Sequence, residues 1–218
     1  MIFIKVIGGI VLSTTVNFSS PSLPGDSPAV NEVSWNLVDA DDKIAVYERW
    51  VSLPDGRKTR ERKGVFSVEA EASSVLPLVS SAEGIKHWMR GVEESKELDA
   101  TSGGSKYIYL YFDAPWPFKN RDLVTSITTI QACGSPCIDV YFSAINNYFP
   151  EKENVERLQS YEAHWQILET GPGKTKITFA ALSDTPLVVP KWIQDPVTEK
   201  LFKDNLLNLM ELLTLNEQ

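Results

Sequence analysis

Three features of the sequence predict an α+β domain, in which a curved antiparallel sheet closes around a long C-terminal helix over an internal hydrophobic cavity. From Ile44 onward, runs rich in Val, Ile, Thr, Tyr and Phe alternate with turn residues. A single helical interruption, residues 73–89, separates the first two runs from the rest. The chain then ends on a helical pattern, residues 198–215, where Leu201, Phe202, Leu206, Leu209, Leu212 and Leu213 recur on one side.

The elements follow in order. In residues 44–53, Ile44, Val46, Glu48 and Trp50 share one face and Ala45, Tyr47, Arg49 and Val51 the other. Pro54-Asp55-Gly56 reads as a hairpin turn into a second strand, 60–70. Within 73–89, Ser73 is a candidate N-cap and Gly84 is expected to separate two short helices. Long strands follow at 106–112, 121–132, 137–147, 159–168 and 175–182, spaced as a meander, with turns at Pro115 to Asn120, Cys133 to Cys137, Pro150 to Glu156 and Gly171-Pro172-Gly173. In the last helix Lys200, Lys203, Asp204 and Glu211 are expected to face water. A sheet of seven or more strands closed by one helix encloses more volume than its inward side chains fill, so capture of one apolar molecule is the expected function. The six Trp, seven Tyr and nine Phe agree, although a dry aromatic core is the alternative for any one of them.

Composition excludes several other classes. With 21 Lys+Arg against 29 Asp+Glu, the net charge of −8 argues against a nucleic-acid surface, which needs a cationic excess. The 43% hydrophobic content is too high for a disordered chain. No linker divides residues 35–213, so one domain is expected. Two Cys and two His are too few and too scattered for a structural zinc site, and His87 and His164 read as ordinary histidines. No metal or cofactor is expected. Cys133 and Cys137 flank Gly134-Ser135-Pro136 and are a candidate disulfide at a hairpin neck, with two free thiols the equal alternative. Residues 1–20, with Lys5 before the apolar run Val6 to Leu12, read as a short signal peptide, and 21–30 as a spacer. Export is the expectation and a disordered cytoplasmic tail the alternative. The ordered domain is expected over 31–215 in a monomer.

The stretch Ala114-Pro115-Trp116-Pro117-Phe118-Lys119-Asn120-Arg121-Asp122-Leu123-Val124 resembles the strand-turn-strand signature of the StAR-related lipid transfer (START) domain. Trp35 with Asp42 to Arg49 resembles that family's first strand, and Val189-Pro190-Lys191-Trp192-Ile193 resembles the segment that opens its C-terminal helix. The likeness spans roughly residues 30–213 and suggests a bacterial-type single-domain member. It implies a helix-grip fold, also seen in Bet v 1-like proteins, with a tunnel for a sterol, phospholipid, sphingolipid or acyl compound. In the family's sterol-binding branch an acidic and a basic residue make a buried contact in the tunnel, and an ungapped count here lands on Ile108 and Ile127. Two aliphatic residues there imply a ligand of little polarity at that depth.

The same register puts Ile108, Leu110, Phe112, Leu123, Thr125 and Ile127 on inward faces, and these, with Arg121, Trp192, Leu206 and Leu209, are the candidate ligand-binding residues. Arg121 is expected to pin the strand entry through a carboxylate or carbonyls, and Asp122 to cap the turn through local N–H groups; contact of Arg121 with a lipid headgroup is the alternative. Leu187, Val188, Val189, Trp192 and Ile193 are candidates for transient membrane contact, since an acidic chain is repelled by anionic headgroups. Catalysis is not expected, although the resemblance to a superfamily that includes cyclases, aromatases and hydrolases leaves a helix-grip enzyme of the cyclase or hydrolase type as the alternative. The nearest constellation is Glu162 and His164 on one strand face, a conceivable base and orienting carboxylate but more simply an outer surface. A third class is a protein-interaction module using the acidic surface and the loop Pro150 to Val155.

Overall fold

The computed structural model describes residues 34–215 except 54–55, 100–104, 115, 117–118, 132–136 and 184–190, with side chains described in the last helix from Pro196 onward. The expectations for residues 1–30, for Cys133 and for Leu187 to Val189 therefore lie outside the described residues. Those for the side chains of Trp192 and Ile193 do too.

Ten strands form one sheet: β1 (Asn36–Ala40), β2 (Ile44–Ser52), β3 (Lys58–Val68), β4 (Val92–Leu98), β5 (Lys106–Phe112), β6 (Arg121–Gln131), β7 (Cys137–Ala144), β8 (Glu156–Arg157), β9 (Tyr161–Gly171) and β10 (Lys174–Ser183). Their order is β1-β2-β3-β10-β9-β7-β6-β5-β4. Two meanders are thus joined where the first and last long strands meet, with Gly64 facing Phe179 and Arg62 facing Ala181. Three helices complete the fold: α1 (Ala72–Ser80), α2 (Ala82–Trp88) and α3 (Lys191–Leu215). The expected class, a helix-grip α+β domain, is the one observed.

The differences from the sequence reading have physical reasons. β1 is short and mostly exposed, and β4 (VEESKEL) carries charge at more than half its positions, so neither shows the apolar alternation that marks a strand. Both are edge strands, where charge blunts unwanted pairing. β8 is a two-residue parallel partner of Arg121 and Asp122, at the start of β6 where β7 has ended. α3 begins seven residues before the expected start, and Pro196, its sixth residue, lies beyond the first turn and so removes one i→i−4 hydrogen bond from the helix.

Gly84 lies inside α2 and does not divide the helices; the break is at Ser81, whose Oγ accepts from the Gly84 N–H at 3.0 Å. Ser73 is no cap: α1 is preceded by Glu71, and the Ser73 hydroxyl donates to the Glu71 carboxylate. What Gly84 provides is closeness. A Cβ there would lie 2.3 Å from the Pro77 carbonyl oxygen and 2.6 Å from the Leu78 Cα, both backbone atoms. Gly84→Ala is therefore expected to destabilise by at least about 1–3 kcal/mol by prising α1 from α2. Urea unfolding of the variant beside wild type checks this.

α3 crosses the concave face, with Leu206, Leu209 and Leu213 fully buried. Gly64 of β3 lets it approach, since a Cβ there would meet the Leu206 Cδ1 at 2.3 Å. Polar clasps hold both flanks. Lys203 Nζ reaches Asp39 at 2.6 Å and Asp41 at 2.8 Å across the β1–β2 turn. On the other side Arg90 donates from its backbone to Asn205 at 2.9 Å and from its guanidinium to Asp204 and Asn208. Lys203 and Asp204 thus tie the helix down, where the sequence suggested solvent.

The Lys203 hydrogen bond, with N–H groups of Ile44 and Lys43, lowers the Asp41 carboxyl from 3.8 to about 2. A depressed carboxyl adds stability above its unfolded pKa and loses it as pH falls through the folded one. The stability difference between wild type and Asp41→Asn should accordingly be full above about pH 4 and vanish toward pH 2. Urea midpoints across that range measure it.

Candidate functional site: an internal cavity under the C-terminal helix

Between the concave face, α2 and the first half of the described part of α3 lies a cavity of about 1030 Å³. That is the upper end of the range usual for small-molecule sites. Its apolar wall is built on four rings from four elements. Trp88 of α2 meets Trp165 of β9 edge-on at 5.5 Å, Trp165 stacks on Phe179 of β10 at 4.0 Å, and Phe179 stacks on Phe202 of α3 at 5.5 Å. The Trp88 indole N–H donates to the Leu78 carbonyl at 2.9 Å, which removes its polar end from the cavity chemistry. Leu110, Leu123 and Phe142 extend this wall across β5, β6 and β7.

Polar residues collect at the other end, where β2, β3, β5, β6, β9 and β10 have neighbouring termini. Arg57, Lys58, Arg90 and Asp113 are exposed there and mark the opening. Trp50, Val197 and Leu201 stand on the same rim and keep 40%, 47% and 42% of their surface exposed.

Of the candidate residues, Leu110, Phe112, Arg121 and Leu123 line the cavity. Ile108, Thr125 and Ile127 have the expected inward parity but lie in the packed core beyond it, each at most 2% exposed. The Thr125 hydroxyl is already used, donating to the Ser143 carbonyl at 3.1 Å. Leu206 and Leu209 are likewise core residues, and the α3 residues on the cavity are Val197, Thr198, Leu201, Phe202 and Asn205. Parity gives the face of a strand, and depth along it depends on where the helix fills the space.

Asp122 does not cap a turn. It is 1% exposed and takes a two-pronged bond from Arg157, at 2.6 Å from Nε and 2.9 Å from Nη2. Arg157, whose pKa this pairing raises, also donates to the carbonyls of Phe149 and Pro150. The loop 145–155 is thereby tied to the start of β6, and Lys152 binds Glu94 of β4 at 2.6 Å. Arg121 lies on the cavity wall, 3.6 Å from Glu156, so it does meet a carboxylate.

The Glu162 and His164 pair is not assembled as a site. His164 Nε2 lies 2.7 Å from Asp139 and its ring stacks on Tyr141 at 4.4 Å, on the sheet face opposite Trp165 and the cavity. His87 pairs with Glu83 on the exposed side of α2. Cys137 opens β7 half-buried, and burial, helped by Asp139, pushes its thiol up. Among the described residues, no group of three or more His, Cys, Asp or Glu could hold a metal, and the lining contains neither His, Cys nor Glu.

Several cavity residues were not among the candidate ligand-binding residues: Arg60 and Arg62 of β3, Tyr161 and Trp165 of β9, Phe179 and Ala181 of β10, and Trp88 of α2, although Trp165 and Phe179 belong to the strand aromatics expected to favour an apolar ligand. Parity within β3 could have flagged the arginines, since they share the face of Gly64, Phe66 and Val68.

A ten-stranded sheet gripping one helix over a cavity defines a helix-grip domain with room for a ligand. No protein-family model matches the sequence. An uncharacterised protein of Pseudomonas aeruginosa is 26% identical over 159 residues, covering 73% of this chain and 76% of its own. START domain-containing protein 10 of Mus musculus is 24% identical over 162 residues, and the matched part is 74% of this chain and 55% of that protein, so the chain spans about half its length. Among solved structures, a StAR-related lipid transfer protein from Xanthomonas axonopodis superposes with a TM-score of 0.71 at 27% identity, covering 83% of this chain and 98% of that one. The chain thus resembles the StAR-related lipid transfer domains in both sequence and fold.

Proposed function

We propose that this chain binds one hydrophobic lipid in the cavity under α3 and carries it between membranes. The observation that carries the reading is an aromatic-walled space of about 1030 Å³, closed over by a helix and open at one end. The likeness to proteins whose names describe lipid transfer supports it. Binding is preferred to turnover because the solved structure that the chain resembles in both sequence and fold is named as a lipid transfer protein. The ligand body is a sterol, phospholipid or acyl compound.

Transient membrane contact is assigned to the rim, where Trp50, Val197 and Leu201 are exposed beside Arg57 and Lys58. Trp116, 92% exposed two residues beyond the lining Ala114, adds a ring suited to the interface. Export remains a proposal resting on residues 1–20, tested by fractionating cells that express the tagged full chain.

The carrier reading is tested by mixing the purified chain with liposomes that contain fluorescent sterol, phospholipid and fatty acid in turn. Saturable uptake near one lipid per chain, and transfer to acceptor liposomes, is the expected outcome. Absence of uptake for every lipid would point instead to an interaction module.

A further inference from the structure

The registers of the sheet give the cavity a shape as well as a volume, because inward side chains stand in rows across neighbouring strands. Nearest the opening, Tyr161 of β9 stands opposite Ser183 of β10. The next row runs Phe142, Ala163, Ala181 and Arg62 across β7, β9, β10 and β3. The row behind it runs Val140, Trp165, Phe179 and Gly64. Two alanines therefore lie side by side in front of two aromatic rings.

The space ends at those rings. In the row beyond them Ile167 and Ile177 are fully buried and Phe66 nearly so. At Gly64 a Cβ would meet Leu206 at 2.3 Å and Phe202 at 3.5 Å, so α3 fills that corner. From Tyr161 to Trp165 is four residues of strand, a depth of about 13 Å. Across it, the alanines of β9 and β10 leave a floor two strands wide, about 10 Å. The space is thus broad for its depth. Trp165, Phe179 and Phe202 close its end as a stack, with interplanar angles of 21° and 10°.

Such a space favours a body over a chain. A long saturated chain has to bend within that depth and gives up rotamer freedom, whereas a rigid ligand has little to lose. Ring contacts add to what apolar burial alone supplies. We infer that the cavity takes a flat, rigid hydrocarbon, ring-bearing or conjugated, which lies over Ala163 and Ala181 with its leading end against Trp165 and Phe179. This rests on the carrier reading and adds the shape of the ligand. Ala181, on the cavity wall, keeps the floor clear, and Phe179 supplies a ring face.

The test is displacement of a visible-excited fatty-chain fluorophore from the full chain by four neutral alcohols of equal carbon number: retinol, geranylgeraniol, phytol and eicosanol. Buried area alone ranks the saturated eicosanol at least level with retinol. The expected order is the reverse. Retinol should bind about tenfold or more tightly than eicosanol, the advantage that about two ring contacts supply, with geranylgeraniol and phytol between. Phe179→Leu should weaken retinol about three- to tenfold and eicosanol much less. Ala181→Val should weaken retinol several-fold more than eicosanol, which bends around the added methyls, and this keeps the test intact if Phe179→Leu does not fold. Eicosanol binding as tightly as retinol, or both variants weakening the two alcohols equally, overturns the shape assignment and leaves the carrier reading standing. Failure of all four alcohols to displace the fluorophore removes the carrier reading and the shape with it.

Discussion

Arg157→Ala is expected to lower the unfolding free energy by about 3–5 kcal/mol, because it strands Asp122, 1% exposed, without its counter-charge. Each kcal/mol moves Tm by about 2–4 °C in a chain of this size, so a fall of about 6–20 °C should follow. The variant also releases the carbonyls of Phe149 and Pro150, and the loop 145–155 should become protease-sensitive. Asp122→Ala should cost about as much, since the buried guanidinium keeps its two carbonyls but loses its counter-charge. The double variant should be much less unstable than the sum of the two, because each single change already breaks the same pair. Urea denaturation of the four proteins measures the coupling. A loss under about 1 kcal/mol in both singles would mean that the pair is well hydrated in solution.

Ala181→Trp is expected to abolish lipid uptake while leaving the fold intact. Ala181 sits on the cavity wall between Arg62 of β3 and Ala163 of β9, where space for a larger side chain exists. A Trp side chain brings about 150–250 Å² of apolar surface into that space and competes directly with a ligand chain. Binding should weaken at least about tenfold while Tm holds or rises, since filling a void adds contacts. A variant that binds normally would place the ligand elsewhere.

What the sequence made legible follows from which forces are local. Turn residues and β-branched runs located most strands, and the spacing of Leu206, Leu209 and Leu213 marked the core stripe of α3. The edge strand β4 was missed because the charges that protect an edge erase the apolar alternation. Ile108, Thr125 and Ile127 were assigned the correct face but the wrong depth. No local rule says that the core closes over them while Leu110 and Leu123, on the same faces, border empty space. That Arg62 stands opposite Ala181 on the cavity wall depends on β3 pairing with β10, strands far apart in the chain, and that pairing follows only from closure of the sheet. The partner of Asp122 was hidden for the same reason: Arg157 comes from a two-residue strand that has no propensity signal of its own.

The central claim, that the cavity under α3 holds one hydrophobic lipid, is tested most directly by native mass spectrometry of the purified full chain, followed by organic extraction. The expected result is a single lipid bound per chain, with its mass recovered in the extract and lost from the Ala181→Trp variant. A chain that carries no lipid, and gains none after incubation with mixed liposomes, would contradict it.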